Sequence, residues 1–234
     1  MKAPGAAGHD HAGHDHAGHD HAGHDHAGHD HAGSGGSLSA GEMWDQRYAA
    51  TDHVWTAEPD ELLVELAGPL EPGKALDLAA GEGRNACWLA SRGWQVTAVD
   101  ASRVAIERAL ARAGAQGTEL TTLVADLADY EPEAGAFDLV VVSNLHLERS
   151  LHSLVLDRAR VALAPGGHLF VVGHHRESAG LGGPPDPERL YTEEIVREAL
   201  AGLDILRLEK IERLHEGHGS THSVFDVLGW AVRR

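Results

Sequence analysis

Cysteine is almost absent from this chain. Its 234 residues include one, Cys87, so an intrachain disulfide is ruled out and a reducing cytoplasm is the expected home. Positive charge is scarce. Nineteen Lys and Arg stand against 36 Asp and Glu, a net charge of −17 with histidine neutral. Such a surface repels phosphate backbones and anionic lipid, so neither nucleic acid nor membrane is an expected partner. Long apolar runs are also missing. None approaches the roughly 20 residues of a membrane helix. The N-terminus has Lys2 but no apolar stretch, so no secretory signal is expected. Aromatic residues make up 5% and hydrophobic residues 42%, ordinary for a soluble globular protein.

Histidine, by contrast, is plentiful near the start. Residues 8–32 are five identical copies of Gly-His-Asp-His-Ala, which supply His9, His11, His14, His16, His19, His21, His24, His26, His29 and His31. Neutral imidazole ligates nickel, zinc, cobalt and copper, so the tract is expected to bind divalent metal. A solubilising tail that charges near the ordinary histidine pKa of about 6.5 and an engineered affinity tag are equally good readings. Ser34-Gly35-Gly36-Ser37 closes the tract with a flexible-linker composition. No large apolar side chain occurs between Lys2 and Leu38, so residues 1–38 are expected to be disordered and residues 39–234 to form the folded domain.

From Ser39 onward the pattern is globular. Short helices are predicted over 42–48 and 58–66. Strands at 74–79, 95–100, 119–124, 137–143 and 167–173 then alternate with helices at 83–92, 102–113 and 149–163. A helix over 192–200 precedes two strands, 204–214 and 223–232, joined by a polar loop. Alternating β and α elements argue a parallel sheet with helices on both faces. The closing pair argues an antiparallel hairpin. The expected fold is α/β: a Rossmann-like, doubly wound, mostly parallel seven-stranded sheet ending in an antiparallel hairpin.

Leu76-Asp77-Leu78-Ala79-Ala80-Gly81-Glu82-Gly83-Arg84-Asn85 carries the chemistry. An apolar run with an acid near its end meets two glycines and then a helical pattern. In this fold such a strand–turn–helix binds an adenosine-containing cofactor. Glycines let backbone approach the ligand, and the helix start offers free N–H groups. The next strand ends at Asp100, where an acid suits both ribose hydroxyls.

These residues resemble the class I S-adenosylmethionine-dependent methyltransferases, and within them the small-molecule branch that includes tellurite-resistance-type and thiopurine-type enzymes. The similarity runs over about residues 42–234. It rests on Asp77-to-Gly83, Gly83-Arg84-Asn85, Asp100, Ala125-Asp126-Leu127, the strand leading to Asn144, Leu163-Ala164-Pro165-Gly166-Gly167, and Trp44-Asp45-Gln46-Arg47-Tyr48. Ala79 departs from the pattern, since that position often holds glycine. Alanine resists a positive φ, so a less contorted backbone is expected there.

The resemblance implies S-adenosylmethionine as cofactor. It implies that Asp77 and the backbone of Ala79, Gly81 and Gly83 hold the methionine part, with Asn85 beside them. Asp100 and Ala101 would meet the ribose, and Asp126 and Leu127 the adenine. Asn144 would lie near the ammonium, and Arg47 would pair with the carboxylate. Trp44 and Tyr48 would help close the site. The partner would be a small-molecule methyl acceptor, and the chain a monomer or homodimer. A base is required only if the acceptor arrives protonated. His146, after the fourth strand, and His174, after the fifth, are the candidates; His175, His218 and His222 lie on neighbouring loops. The segment 177–190, rich in glycine and proline, is expected to shape the acceptor pocket.

Two other readings compete. Gly81-x-Gly83-x-x-Ala86 formally satisfies the nicotinamide dinucleotide fingerprint, although Asp77 sits awkwardly in the apolar strand of that motif. Alternatively the tail is the active part, in a metal-storage or metalloid-resistance protein whose domain senses a cofactor.

Overall fold

A computed structural model describes residues 38–52, 54, 56–181, 183–217 and 220–234. The histidine tract, its expected metal ligands and its expected disorder lie outside the described residues, as does His218.

Among the described residues six α-helices and seven strands follow one another in the expected order. Helix α1 (Ala40–Ala49) starts with a capping box. Ser39 Oγ accepts from the Glu42 N–H at 3.2 Å, and the Glu42 carboxylate accepts from the Ser39 N–H at 2.8 Å, which satisfies two orphan donors at once. Helix α2 spans Glu61–Ala67 with Asp60 as its cap. The strand and helix pairs are β1 (Lys74–Leu78) with α3 (Arg84–Ser91), and β2 (Gln95–Asp100) with α4 (Arg103–Ala115). They are followed by β3 (Thr121–Val124), β4 (Phe137–Ser143) with α5 (Arg149–Ala162), and β5 (Leu163–His174) with α6 (Glu193–Ala199). Strands β6 (Asp204–Gly217) and β7 (Ser220–Val232) end the chain.

The sheet order is β3-β2-β1-β4-β5-β7-β6. Strands β1 to β5 are parallel, and β7 runs antiparallel to both β5 and β6. The terminal hairpin therefore does not simply extend the sheet. Its second strand inserts between β5 and β6, so β6 points with the parallel set. Both hairpin strands are longer than expected and consume most of the anticipated loop. The anticipated turn Pro165-Gly166-Gly167 lies within β5, where the register with β4 slips between Phe137 and Leu139; the turn becomes a bulge instead of a strand boundary.

Each face of the sheet carries a core. Leu76, Leu78, Val140 and Val142 meet Val155, Leu156 and Ala159 of α5 and Val196 of α6. Ala75, Leu139, Val141 and Phe170 meet Leu63 of α2 and Ala86 and Leu89 of α3. Side chains alternate across a strand, so Asp77 shares the α3 face with Ala75. The strand order reverses at β1 and β4. In open α/β sheets that switch point opens a crevice beyond the strands' carboxyl ends.

Candidate active site

The loop after β1 is tightly wound. Gly81 and Gly83 take φ of 54° and 76°. A Cβ on Gly83 would lie 2.7 Å from the Ala109 Cβ, so this position combines a left-handed turn with close approach of α4. Ala79 also takes a left-handed φ of 59°, contrary to the relaxed backbone expected for alanine. The turn demands the conformation, and the residue adopts it at a strain of about 1–2 kcal/mol. Asn144, just past β4, is the other left-handed non-glycine among the described residues, at 56°.

Two buried acids flank this loop. Asp77 is 2% exposed, and among the described residues its Oδ2 has no hydrogen-bond partner. Burial pushes its carboxyl up to about 7; Asp100 adds to the rise, and Arg84 and the Ala86 N–H oppose it. Asp100 is fixed at both oxygens. Oδ2 accepts from the Gly81 N–H at 2.8 Å and Oδ1 from the Ser102 N–H at 2.9 Å. Burial raises its pKa too, against the pull of those two N–H groups. An orphaned buried carboxylate oxygen beside a left-handed turn is a site for a donor from outside the chain. An adenosine-type cofactor bearing an ammonium group and ribose hydroxyls fits that donor set.

The structure brings the other expected cofactor residues to this end of the sheet in varied roles. Asp126 is exposed, and its Oδ1 accepts from the Ala128 N–H at 2.9 Å, while Leu127 is buried. Asn144 donates its backbone N–H to the Val172 carbonyl at 2.8 Å. Asn85 is buried, and its Oδ1 accepts from the Asp60 N–H at 2.9 Å. Helix α1 lies against the loop after Asp100. Asp45 Oδ1 accepts from Ser102 Oγ at 2.5 Å and from the Val104 N–H at 3.1 Å, and a Cβ on Gly41 would sit 2.7 Å from the Ala101 carbonyl. On α1 the Arg47 guanidinium lies 5.0 Å over the Trp44 ring, and Trp44 and Tyr48 are 5.8 Å apart.

Sequence reasoning missed the clamp that holds the N-terminal segment. Glu82, in the glycine loop, is buried and pairs with Arg108 at 2.8 Å. Arg108 also donates to the Tyr48 and Thr51 carbonyls at 2.8 Å each. Glu82 accepts from the Val54 N–H at 3.2 Å, and Arg112 donates to the Ala57 carbonyl at 2.7 Å. The signal was present. A buried-loop acid and arginines four apart on α4 are a pattern for a charge-assisted tie.

The histidines gather at the ends of β4 and β5. The His146 and His174 rings stack 5.1 Å apart at 5°. His146 is poorly suited to take a proton. Its Nε2 already accepts from the His174 backbone N–H at 3.1 Å. Burial, with His174 and His152 nearby, pushes its pKa down to about 3. His174 is placed better, with Nδ1 2.8 Å from Asp226 Oδ1. His175 Nδ1 accepts from the Glu177 N–H, and its Nε2 lies 3.3 Å from Glu193. Tyr191 is buried against His152 and donates to the Leu145 carbonyl at 2.8 Å. Among the described residues no cluster of His, Cys, Asp and Glu is set to hold a metal ion, and no helix is long and apolar enough to cross a membrane.

The glycine turn and the pair of strand-end acids stand together at the carboxyl ends of β1 and β2. A family model described as a methyltransferase domain matches residues 75–167. The ribosomal RNA small subunit methyltransferase C of Alcanivorax borkumensis is 35% identical over 112 residues, 44% of this chain and 33% of its own length. The chain thus spans about a third of that relative. TehB from Haemophilus influenzae superposes with a TM-score of 0.63 at 20% identity, over 81% of this chain and 66% of that one. The N-methyltransferase NodS from Bradyrhizobium japonicum, solved with S-adenosyl-L-homocysteine, gives 0.63 at 19% identity, over 82% and 97%. Both share the fold.

Proposed function

We propose that this protein transfers a methyl group from S-adenosylmethionine to a small-molecule acceptor. The orphaned Asp77 carboxylate beside the left-handed turn carries the reading. Asp77 and the Ala79-to-Gly83 backbone hold the methionine part, with Asn85 behind them. Asp100 takes the ribose hydroxyls, and Ala101 lines that side. Asp126 and the Leu127 N–H read the adenine, and the Asn144 backbone meets the ammonium. Arg47 pairs with the cofactor carboxylate, a match of guanidinium geometry, while Trp44 and Tyr48 close over it. When bound, the cofactor supplies an electrophilic methyl. The chain aligns the acceptor in line with it and excludes water, which is worth roughly 7–11 kcal/mol for well-oriented partners. His174 takes the proton of an acceptor that arrives protonated.

The 34% identity over 110 residues with the ubiquinone biosynthesis O-methyltransferase of Vibrio parahaemolyticus supports a small acceptor. The net charge of −17 favours it over RNA, despite the ribosomal RNA methyltransferase relative. The lone Cys87 supports a cytoplasmic site of action. We further infer that residues 1–38 form a separate tail that binds divalent metal through its ten histidines. Radiolabelled methyl transfer from S-adenosylmethionine to a panel of small phenols, amines and thiols tests the main reading. Transfer to structured RNA in place of every small acceptor would overturn it. Calorimetric titration of nickel or zinc into full-length and tail-deleted protein tests the tail, and equal stoichiometry in both would refute it.

A further inference from the structure

More charge stands behind His174 than a single base needs. Asp226 is paired with His174 in the β5–β7 ladder and is 4% exposed. Its Oδ1 faces His174 Nδ1 at 2.8 Å. Its Oδ2 lies 2.8 Å from Arg213 Nε on β6, although that N–H does not point straight at the oxygen. Arg213 Nη2 reaches both oxygens of Asp60 at 3.2 and 3.1 Å. Asp60 caps α2, and its N–H donates to Asn85 at the start of α3. A continuous polar chain therefore runs from His174 across two strands to the helix that follows the glycine loop.

The His174 ring is held on several sides. His146 stacks on one face. Gly183 packs so closely that a Cβ there would lie 2.6 Å from His174 Cδ2. Among the described residues nothing hydrogen-bonds to His174 Nε2, and a fifth of the side chain remains exposed. The titratable and charged groups around it are His146 from the β4–α5 loop, Asp226 from β7 and Arg213 behind Asp226. Beyond His146 stand His152, Tyr191 and Arg189. His146 stays neutral and does not compete for the proton, because its own Nε2 is occupied.

We propose that Asp226, backed by Arg213, is a positioning residue that fixes neutral His174 as its Nδ1–H tautomer and so leaves Nε2 as the lone pair that receives the acceptor's proton. The inference rests on the methyltransferase reading for its purpose, but not for its geometry. A buried carboxylate that accepts from Nδ1 orients the ring and stabilises the imidazolium that forms. The proton leaves the acceptor's O–H or N–H for Nε2. The freed pair on the acceptor makes the bond to the methyl carbon, and the pair of the broken carbon–sulfur bond stays on sulfur.

Imidazole nitrogen NMR on full-length, histidine-labelled protein tests this, with the His174 signal assigned by its loss in His174→Gln. The wild type is expected to carry its proton on Nδ1. In Asp226→Asn the amide oxygen turns toward Arg213 and its NH2 group toward Nδ1, so the ring is expected to switch to Nε2–H. Asp226→Glu should restore Nδ1–H. An Nε2–H ring in the wild type, or an unchanged ring in Asp226→Asn, would overturn the proposal. If Asp226→Asn does not fold, the wild-type tautomer decides alone. Calorimetry with S-adenosylhomocysteine on the same samples separates the two ideas. Absence of binding in the wild type sinks the methyltransferase reading, whereas binding with the wrong tautomer sinks this one.

Discussion

The β1–β2 end of the site buries acids, and the β4–β5 end buries histidines. Burial acts oppositely on the two. It raises carboxyl pKa values, Asp77 to about 7, and lowers imidazole values, His146 to about 3 and His152 to about 4, because in both cases the charged form loses its hydration. Each end thus disfavours its own charge. At the acid end Asp77 Oδ2 lacks a partner among the described residues, whereas at the histidine end His146 Nε2 and His174 Nδ1 are tied from within, by the His174 N–H and by Asp226. One half is built to be completed and the other to be held still.

The sharpest way to break this contrast is the pH dependence of stability. A carboxyl whose folded pKa is raised binds more protons when folded. Its penalty therefore grows as pH rises from about 4 to about 7. In the unliganded protein Asp77 should lower stability across that window by at most about 4 kcal/mol, and Asp77→Asn should flatten this limb in urea melts taken at successive pH values. The histidine end has the opposite sign. A lowered folded pKa makes stability fall as pH drops below about 6.5 toward 4. His152 is 2% exposed with an unpartnered Nε2. His152→Phe should recover up to about 3 kcal/mol of that acid loss. If both limbs persist in both variants, the assignment of opposite charges to the two ends is wrong.

Smaller effects sharpen the comparison. Arg108→Ala removes the arginine that pairs with the buried Glu82 and donates to the Tyr48 and Thr51 carbonyls. A loss of about 2 kcal/mol is expected, with faster proteolysis between residues 49 and 60. Unchanged proteolysis would mean that the clamp does not hold the segment. Ala79→Gly should stabilise the unliganded protein by about 1 kcal/mol, because glycine relieves the left-handed strain at some cost in chain entropy. A loss instead would mean that the alanine methyl packs against something that outweighs the strain.

The acid end was legible in the sequence because its signals are local. Asp77, two glycines and the helix start lie within ten residues, and Asp100 closes the next strand. The histidine end was legible in part. His174 stands out as a base candidate on position. Asp226 and Arg213 do not, because register puts them together across 52 and 39 residues of chain. Yet Asp226 is an acid set in the apolar strand Val224-Phe225-Asp226-Val227-Leu228, the same anomaly that marked Asp77. The clamp from Glu82 to Arg108 was hidden for the same reason, since no periodicity reports a side-chain tie between a loop and a distant helix. Ala79 was misjudged because propensity describes the residue, while the turn is imposed by the strand and helix on either side.

The proposed methyl transfer requires the acid end to hold a cofactor of one kind. Calorimetric titration with S-adenosylhomocysteine and, separately, with NAD tests it most directly. One S-adenosylhomocysteine per chain is expected, weakened about 10- to 100-fold in Asp100→Ala, with no heat from NAD. Binding of NAD without S-adenosylhomocysteine would contradict the account.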